Sequence, residues 1–409
     1  MKSRIRILPG FLIVVITGFA LYMMMVSLQT KLLAHPILFD YDTLQKQAVS
    51  NVQWRLLWLI GDTTEAQFYK SVFAGIGLLT FALIAHVLDR WRLRWAGFPI
   101  AYGTGLWLWI FFASMVGLFV SVFLYGGQLS HGWVPTFVPF VSVPAGVVLI
   151  YGRGWKTAVT GGILGGLFTF PISWFLIEKI LNPLGYPSVI GNVTGMWLGA
   201  ILVFEICRYL PWMSPGQVTP IESSADNGGN SEITQQEIAT TIETPETGQL
   251  KKDLGSMWFV RRVLADFTEA PFYANELASI GLILGAILSW VLNPLNPAYG
   301  SGVFPAILLS QILTAAIGIF LYYDLWKKLG WYPTFVPLVS VAPAVVLTFN
   351  GSMTSIIAGA LLGALAGPPF AQCIIRILPK HYHGFIGNTL SMAVCTWVII
   401  SMLKYVQGL

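Results

Sequence analysis

The chain has 409 residues, enough for two or three soluble domains, but 56% of them are hydrophobic and only 10% are charged. Soluble domains contain about 25% charged residues, and a mean hydropathy of +0.71 leaves too much apolar surface for a water-soluble core. The composition argues against a soluble enzyme, a nucleic-acid-binding protein and a disordered chain, and predicts an all-α polytopic membrane protein. The net charge of +5 arises from short basic clusters between apolar runs, which is the pattern that orients membrane helices.

The chain begins with basic residues that are followed by an apolar run from Leu8 to Leu28. A run of about 21 residues is long enough to span a bilayer and too long for a cleaved signal peptide. We therefore expect a retained transmembrane helix within residues 1–30. Residues 31–61 are predicted to be an extracytoplasmic segment, with the Trp-rich stretch Trp54–Ile60 lying at the membrane interface.

The two halves of the chain repeat the same motifs in the same order. Three pairs of segments match at separations of 204, 198 and 196 residues, with six of eight, twelve of seventeen and three of three positions identical. The pairs are Asp62–Tyr69 with Asp266–Tyr273, Trp133–Leu149 with Trp331–Leu347, and Ile190–Asn192 with Ile386–Asn388. Matches that keep their order and spacing indicate an internal duplication.

Each half is predicted to contain five apolar segments of membrane-spanning length. The first five-helix repeat is expected at 62–210 and the second at 254–409. The acidic linker between them, 211–253, has too few apolar residues to fold alone and is predicted to be disordered. The apolar segments are about 67–89, 98–126, 133–151, 157–178 and 188–208 in the first repeat, and about 271–292, 303–323, 331–349, 354–376 and 385–404 in the second. With the N-terminal helix, the total is about 11 transmembrane helices.

The positions of lysine and arginine predict how these segments cross the membrane. Eleven spans with a cytoplasmic N-terminus place 17 of the 23 basic residues inside and 6 outside, whereas re-entrant third segments would place 9 inside and 14 outside. The eleven-span arrangement follows the positive-inside rule and fits the plasma membrane of a bacterium. Five spans per repeat invert the second repeat relative to the first, and the basic loop Arg90–Arg94 accordingly has an uncharged counterpart at 293–302.

The third segment of each repeat is predicted to be a helix broken by proline. Proline lacks a backbone N–H and clashes with the preceding turn, so carbonyl groups are freed that must bond to protein, water or a ligand. Hydroxyl side chains beside these prolines are candidates for a substrate-binding site, while the alternative is a kinked packing helix whose hydroxyls bond their own backbone. The prolines are Pro135, Pro139, Pro144, Pro333, Pro337 and Pro343, and the candidate hydroxyl residues are Thr136, Ser142, Thr334 and Ser340.

A matched pair of amides lies in the fifth segments, where Asn192 and Asn388 each follow a glycine. A buried amide costs a few kcal/mol if it is left without partners. Two amides that approach the midplane from opposite faces would suit a neutral polar ligand or a partly dehydrated ion. The alternative is an interhelical hydrogen bond of about 0.6–2 kcal/mol.

Two acidic pairs, Asp62 with Glu65 and Asp266 with Glu269, precede long apolar helices. Their spacing matches a capping box, in which the first residue caps the helix and the fourth reaches back. We interpret them as caps, with gating or cation attraction as the alternative. Few other ionisable groups lie in the predicted spans, which argues against a proton relay.

Glycines four residues apart in both fourth segments are predicted to allow close helix packing. They are Gly161 with Gly165, Gly162 with Gly166, and the series Gly359, Gly363 and Gly367. Their role is expected to be structural, with the fourth segments held against neighbouring helices.

Inverted repeats with broken helices are typical of secondary transporters and solute channels. The leading hypothesis is a permease for a small, mostly neutral solute, acting as a facilitator or an ion-coupled carrier, with its site between the third and fifth segments of both repeats. The alternative is a lipid-handling or envelope-assembly protein without aqueous transport. No enzyme activity, cofactor, metal or nucleic-acid partner is expected. The partners considered are the solute, a coupling cation, membrane lipids and further copies of the chain.

Overall fold

A computed structural model describes residues 4–214 and 254–407 of the chain. Over these residues the secondary structure is helical, without β-strands, and consists of fifteen α-helices joined by short loops and 3-10 turns. The linker predicted at 211–253 lies outside the described residues except for its first four positions. The all-α prediction is confirmed for the described part of the chain.

The helices of the first half occupy residues 4–214. They are α1 (Leu8–Ala34), α2 (Tyr41–Ser50), α3 (Val52–Asp62), α4 (Val72–Arg90), α5 (Trp107–Tyr125), α6 (Val143–Tyr151), α7 (Trp155–Leu176) and α8 (Val189–Arg208). A π-turn at Ile177–Leu181 continues α7.

The helices of the second half occupy residues 254–407. They are α9 (Ser256–Asp266), α10 (Glu276–Leu292), α11 (Phe304–Leu321), α12 (Tyr323–Leu329), α13 (Val341–Thr348), α14 (Met353–Ile377) and α15 (Phe385–Gln407). The end of α9 at Asp266 matches the end of α3 at Asp62, the equivalent position of the repeated motif.

Eight helical segments of the described chain are long and apolar enough to cross a membrane, and three further apolar helices are shorter. The long segments contain α1, α4, α5, α7, α8, α11, α14 and α15. The shorter ones are Val138–Tyr151, Glu276–Leu292 and Pro337–Thr348. Eight helices of this kind are consistent with a multi-pass membrane protein.

Both proline-rich third segments are broken helices, as the sequence predicts. In the first half a 3-10 turn over Val138–Val141 contains Pro139, and α6 begins only at Val143 with Pro144 in its first turn. In the second half Pro337 opens the 3-10 turn that precedes α13. These helices are short because each proline removes a backbone donor within them.

The two halves meet most closely where α4 crosses α10. A Cβ added to Gly77 would overlap the carbonyl oxygen of Gly281, and a Cβ added to Gly281 would overlap the carbonyl oxygen of Gly77. Only residues without a side chain permit two helix backbones to approach this closely. The reciprocity places equivalent segments of the two halves side by side.

The glycines of the fourth segments mediate close packing, as predicted. A Cβ on Gly165 would lie 2.7 Å from Pro144, and a Cβ on Gly166 would lie 2.7 Å from the carbonyl oxygen of Gly117. In the second half a Cβ on Gly363 would lie 2.9 Å from Pro337. The glycine stripes of α7 and α14 therefore hold the broken third segments in place.

Candidate functional site

A cavity of about 570 Å³ lies between the two halves of the chain. Many of its lining residues occur at equivalent positions of the two halves, so that one half presents nearly the same wall as the other. The equivalent pairs are Glu65 with Glu269, Phe68 with Phe272, Tyr102 with Tyr299, Trp133 with Trp331, Asn192 with Asn388, and Met196 with Met392. The cavity therefore has approximate two-fold symmetry.

Glu65 is 1% exposed and lies in the part of the cavity wall that the first half of the chain supplies. The indole N–H of Trp133 donates to its Oε1, and the hydroxyl of Tyr299, from the other half of the chain, lies near this carboxylate. On the far side the ammonium of Lys70 lies 2.8 Å from Oε2 of Glu65 and also pairs with Asp62. We call Asp62, Glu65 and Lys70 the Lys70 cluster.

Glu269 has the same surroundings in the second half. The indole N–H of Trp331 donates to its Oε1, and the hydroxyl of Tyr102, from the first half, lies near this carboxylate. The guanidinium of Arg262 pairs with Glu269 and, at 2.5 Å, with Asp266. We call Arg262, Asp266 and Glu269 the Arg262 cluster.

The cations of the two clusters come from different positions of the repeat. Arg262 precedes its acids on α9, at the position that Trp58 occupies in the first half, whereas Lys70 follows its acids, at the position that Ala274 occupies in the second. The ammonium of Lys70 lies 3.4 Å from the centre of the Trp58 ring. Both halves therefore place one cation between two carboxylates, but the cation comes from a different position of the repeat in each half.

Several residues of the cavity wall have left-handed backbone conformations that side chains other than glycine rarely adopt. Phe68 and Phe272 have φ values of 65° and 64°, and Tyr102 and Tyr299 have 58° and 61°. Such conformations cost about 1–3 kcal/mol each and persist where the surrounding structure enforces them. Here they occur as equivalent pairs, so both halves hold the aromatic wall in the same strained geometry.

Backbone hydrogen bonds between the halves hold these turns together. The N–H of Ala101 donates to the carbonyl oxygen of Tyr273 at 2.9 Å, and the N–H of Ala298 donates to that of Tyr69 at 2.8 Å. Each bond joins the turn that carries a wall tyrosine to the loop that carries a wall phenylalanine. The cavity is thus built by contacts between the two halves.

The predicted site residues Asn192 and Asn388 both line the cavity. They are 5% and 6% exposed, and the Oδ1 atom of each has no hydrogen-bond partner among the described residues. A buried amide oxygen without a partner costs about 1–3 kcal/mol, which a ligand with a hydrogen-bond donor would recover. The structure thus brings these two candidates into one cavity.

The other four predicted site residues are buried behind the cavity wall and are absent from its lining. The hydroxyls of Ser142 and Ser340 donate to the carbonyl oxygens of Val138 and Val336, four residues earlier. Intrahelical bonds of this kind match the packing alternative given for these residues.

Thr136 and Thr334 make contacts that support neighbouring groups. Thr136 Oγ1 accepts a hydrogen bond from the Trp58 indole at 2.9 Å, and the Thr334 hydroxyl donates to the carbonyl oxygen of Tyr332 at 3.5 Å. Thr136 therefore holds the indole that lies against Lys70, whereas Thr334 bonds to its own backbone segment.

The interpretation of the acidic pairs as helix caps is wrong. Ser71 caps α4 and Asn275 caps α10 through their side-chain oxygens. The acids Asp62 and Glu65 are instead buried against Lys70, because a carboxylate without a partner would be too costly at this depth. The acids therefore belong to buried ion pairs and not to helix N-termini.

One repeated motif of the cavity was missed in the sequence. Ala101–Gly105 reads Ala-Tyr-Gly-Thr-Gly and Ala298–Gly302 reads Ala-Tyr-Gly-Ser-Gly, four identical positions of five at a separation of 197 residues. This match would have identified Tyr102 and Tyr299, since its separation agrees with that of the other repeats. Comparison with protein-family models, curated proteins and solved structures gives no match for this chain.

Proposed function

We propose that the chain is an integral membrane permease that moves a small solute through the cavity between its two halves. The observation that carries the proposal is that equivalent residues of both halves line one cavity, among them Glu65 with Glu269 and Trp133 with Trp331. Sites at the interface of two repeats are a general feature of secondary transporters. A facilitator and an ion-coupled carrier both fit this arrangement.

The proposal includes the finer architecture expected from the sequence, namely eleven spans arranged as one helix and two five-helix repeats of inverted topology. The reciprocal crossing of Gly77 and Gly281 supports it, since equivalent glycines meet each other, as they would near a two-fold axis. The reciprocal bonds of Ala101 and Ala298 support it in the same way. An axis of this kind in the membrane plane is what inverted repeats require.

The composition of the cavity wall favours a small solute with a large apolar part. Its wall is mostly aromatic and aliphatic, and its polar lining residues include the two glutamates, Asn192 and Asn388. Ligand sites are commonly apolar with a few placed polar groups. Lipid handling is the alternative function, and a bound lipid without solute flux is the result that would favour it.

The test is a screen followed by a flux assay. The purified chain is unfolded thermally in detergent with neutral solutes, organic ions, lipids and salts, and a ligand present at 100 times its Kd should stabilise the fold by about 2.7 kcal/mol. Compounds that stabilise it are then tested for uptake into proteoliposomes. Uptake that depends on the protein supports the permease, whereas stabilisation by lipids alone, without uptake of any soluble compound, contradicts it.

A further inference from the structure

The two charged clusters beside the cavity each contain one more carboxylate than cation. In the Lys70 cluster and in the Arg262 cluster a single cation contacts two acids, and all six residues are at most 6% exposed. With both acids ionised, each cluster carries one net negative charge. Because water is largely excluded, this charge is screened far less than it would be at a surface.

The rest of the cavity wall supplies no positive charge to balance these clusters. Neither lysine nor arginine occurs among its lining residues. The imidazole of His383 is in the lining, but burial lowers its pKa to about 4. Its Nδ1 accepts a hydrogen bond from the backbone N–H of Phe385 at 3.2 Å, which requires an unprotonated nitrogen. The described lining of the cavity therefore contains no cationic group of its own to offset the carboxylates of Glu65 and Glu269.

Aromatic residues from both halves of the chain line the cavity. Around Tyr299 the rings of Tyr41, Phe68 and Trp133 pack edge-on, with centroid separations of 5.9, 6.4 and 6.2 Å. The π-faces of such rings attract a cation, and the attraction reaches about 2 kcal/mol when the cation is desolvated. Carboxylates behind an aromatic wall form the chemical environment that recognises ammonium groups.

A second, independent feature also indicates a ligand in the same cavity. Asn192 and Asn388 are more than nine-tenths buried, line the cavity, and each has an amide oxygen without a hydrogen-bond partner among the described residues. The free oxygens of these amides could orient a bound molecule by accepting hydrogen bonds from it. The acids and the amides thus border one space from different helices.

We propose that the solute carried by this permease is an organic cation, an ammonium compound with methyl, alkyl or aryl groups on its nitrogen. This inference rests on the proposed function and specifies its substrate class. Each glutamate already accepts a hydrogen bond from a tryptophan on one oxygen and pairs with a cation through the other, so neither offers the free oxygens that a hard metal ion needs as ligands. A weakly hydrated ammonium requires no such ligands, because aromatic faces and the field of the clusters suffice.

The probes are choline and benzyltrimethylammonium, each compared with its neutral analogue in which carbon replaces the quaternary nitrogen. Binding to the purified full chain is followed by tryptophan fluorescence, since Trp133 and Trp331 line the cavity, with sodium chloride added to equalise ionic strength. We expect at least one cation to bind at least tenfold more tightly than its neutral analogue. Equal binding of both members of each pair, or binding of neither cation, overturns the inference.

Variants then locate the interaction. Glu65→Gln combined with Glu269→Gln keeps the shape of both side chains and is expected to weaken cation binding at least tenfold, with little effect on the neutral analogues. Glu178→Gln is the matched control, because Glu178 is exposed and absent from the cavity wall. If the double variant does not fold, the comparison of cation with neutral analogue in the unaltered protein still decides.

Flux measurements separate this inference from the proposed function. Uptake of a cation into proteoliposomes with inward movement of charge supports both. Protein-dependent uptake of neutral solutes without preference for the cations keeps the permease and overturns the cationic substrate. Selective cation binding without uptake of any solute keeps the cation site and overturns the permease.

Discussion

Lys70→Ala removes the cation that separates two buried carboxylates. Lys70, Asp62 and Glu65 are each at most 1% exposed, and Lys70 lies 2.8 Å from Glu65. Breaking a buried ion pair by removing one partner costs about 3–5 kcal/mol, because the remaining charge is left uncompensated. We expect the free energy of unfolding to fall by about this amount.

The repeat itself supplies a compensating change. Arg262 pairs with Asp266 and Glu269 from the position that Trp58 occupies in the first half. Adding Trp58→Arg to Lys70→Ala therefore transfers the second arrangement to the first cluster. The replaced indole loses its bond to Thr136, a loss of about 1 kcal/mol, so more than half of the lost stability should return.

The assay is unfolding of the purified chain in mixed micelles of increasing denaturing detergent, followed by tryptophan fluorescence. Lys46→Ala serves as the control, because Lys46 is exposed and such surface changes alter stability by at most about 0.5 kcal/mol. A Lys70→Ala variant as stable as the control would refute the buried ion pair. A double variant less stable than Lys70→Ala would refute the equivalence of the two clusters.

Three further predictions concern the charged clusters and the crossing of α4 with α10. Burial raises the pKa of Asp266 from 3.8 to about 7, so the folded protein retains a proton that the unfolded chain has released. The free energy of unfolding should therefore fall as the pH rises from about 4 to about 7, and Asp266→Asn should remove this slope. Affinity for the cationic probes should rise over the same range, since deprotonation restores the net negative charge of the Arg262 cluster, and a flat profile in fluorescence titrations would contradict this. Gly281→Ala should destabilise the protein by about 1–3 kcal/mol through overpacking, whereas Gly127→Ala, whose Cβ would contact nothing within 4 Å, should leave detergent unfolding unchanged; equal stability of the two variants would refute the close crossing.

The membrane character, the positions of the apolar helices and the proline breaks could be predicted because they depend on local composition. Residues such as Pro139 and Pro337 change the backbone wherever they stand. That Asn192 and Asn388 lie at equivalent positions could also be predicted, since repeated motifs occupy equivalent places in two copies of one fold. These features need no knowledge of how distant helices pack.

The charged clusters could not be predicted in the same way. The spacing of Asp62 and Glu65 is equally compatible with a helix cap and with a buried ion pair, and only tertiary packing decides between them. An alignment of the two halves does not reveal the cations, because Lys70 aligns with Ala274 and Arg262 aligns with Trp58. Ser142 and Ser340 lie outside the cavity lining and donate to their own backbone, as a serine beside a broken helix does most easily.

Passage of solute through the cavity between the two halves is tested most directly by measuring flux through variants with an altered cavity wall. Uptake into proteoliposomes of the solute found in the screen is measured for Asn192→Leu combined with Asn388→Leu. The control combines Ser142→Ala with Ser340→Ala, which alters two buried hydroxyls absent from the cavity lining. We expect the asparagine variant to fold but to lose at least nine-tenths of the flux, while the serine variant retains it. Full flux through the folded asparagine variant would show that the solute does not pass through this cavity.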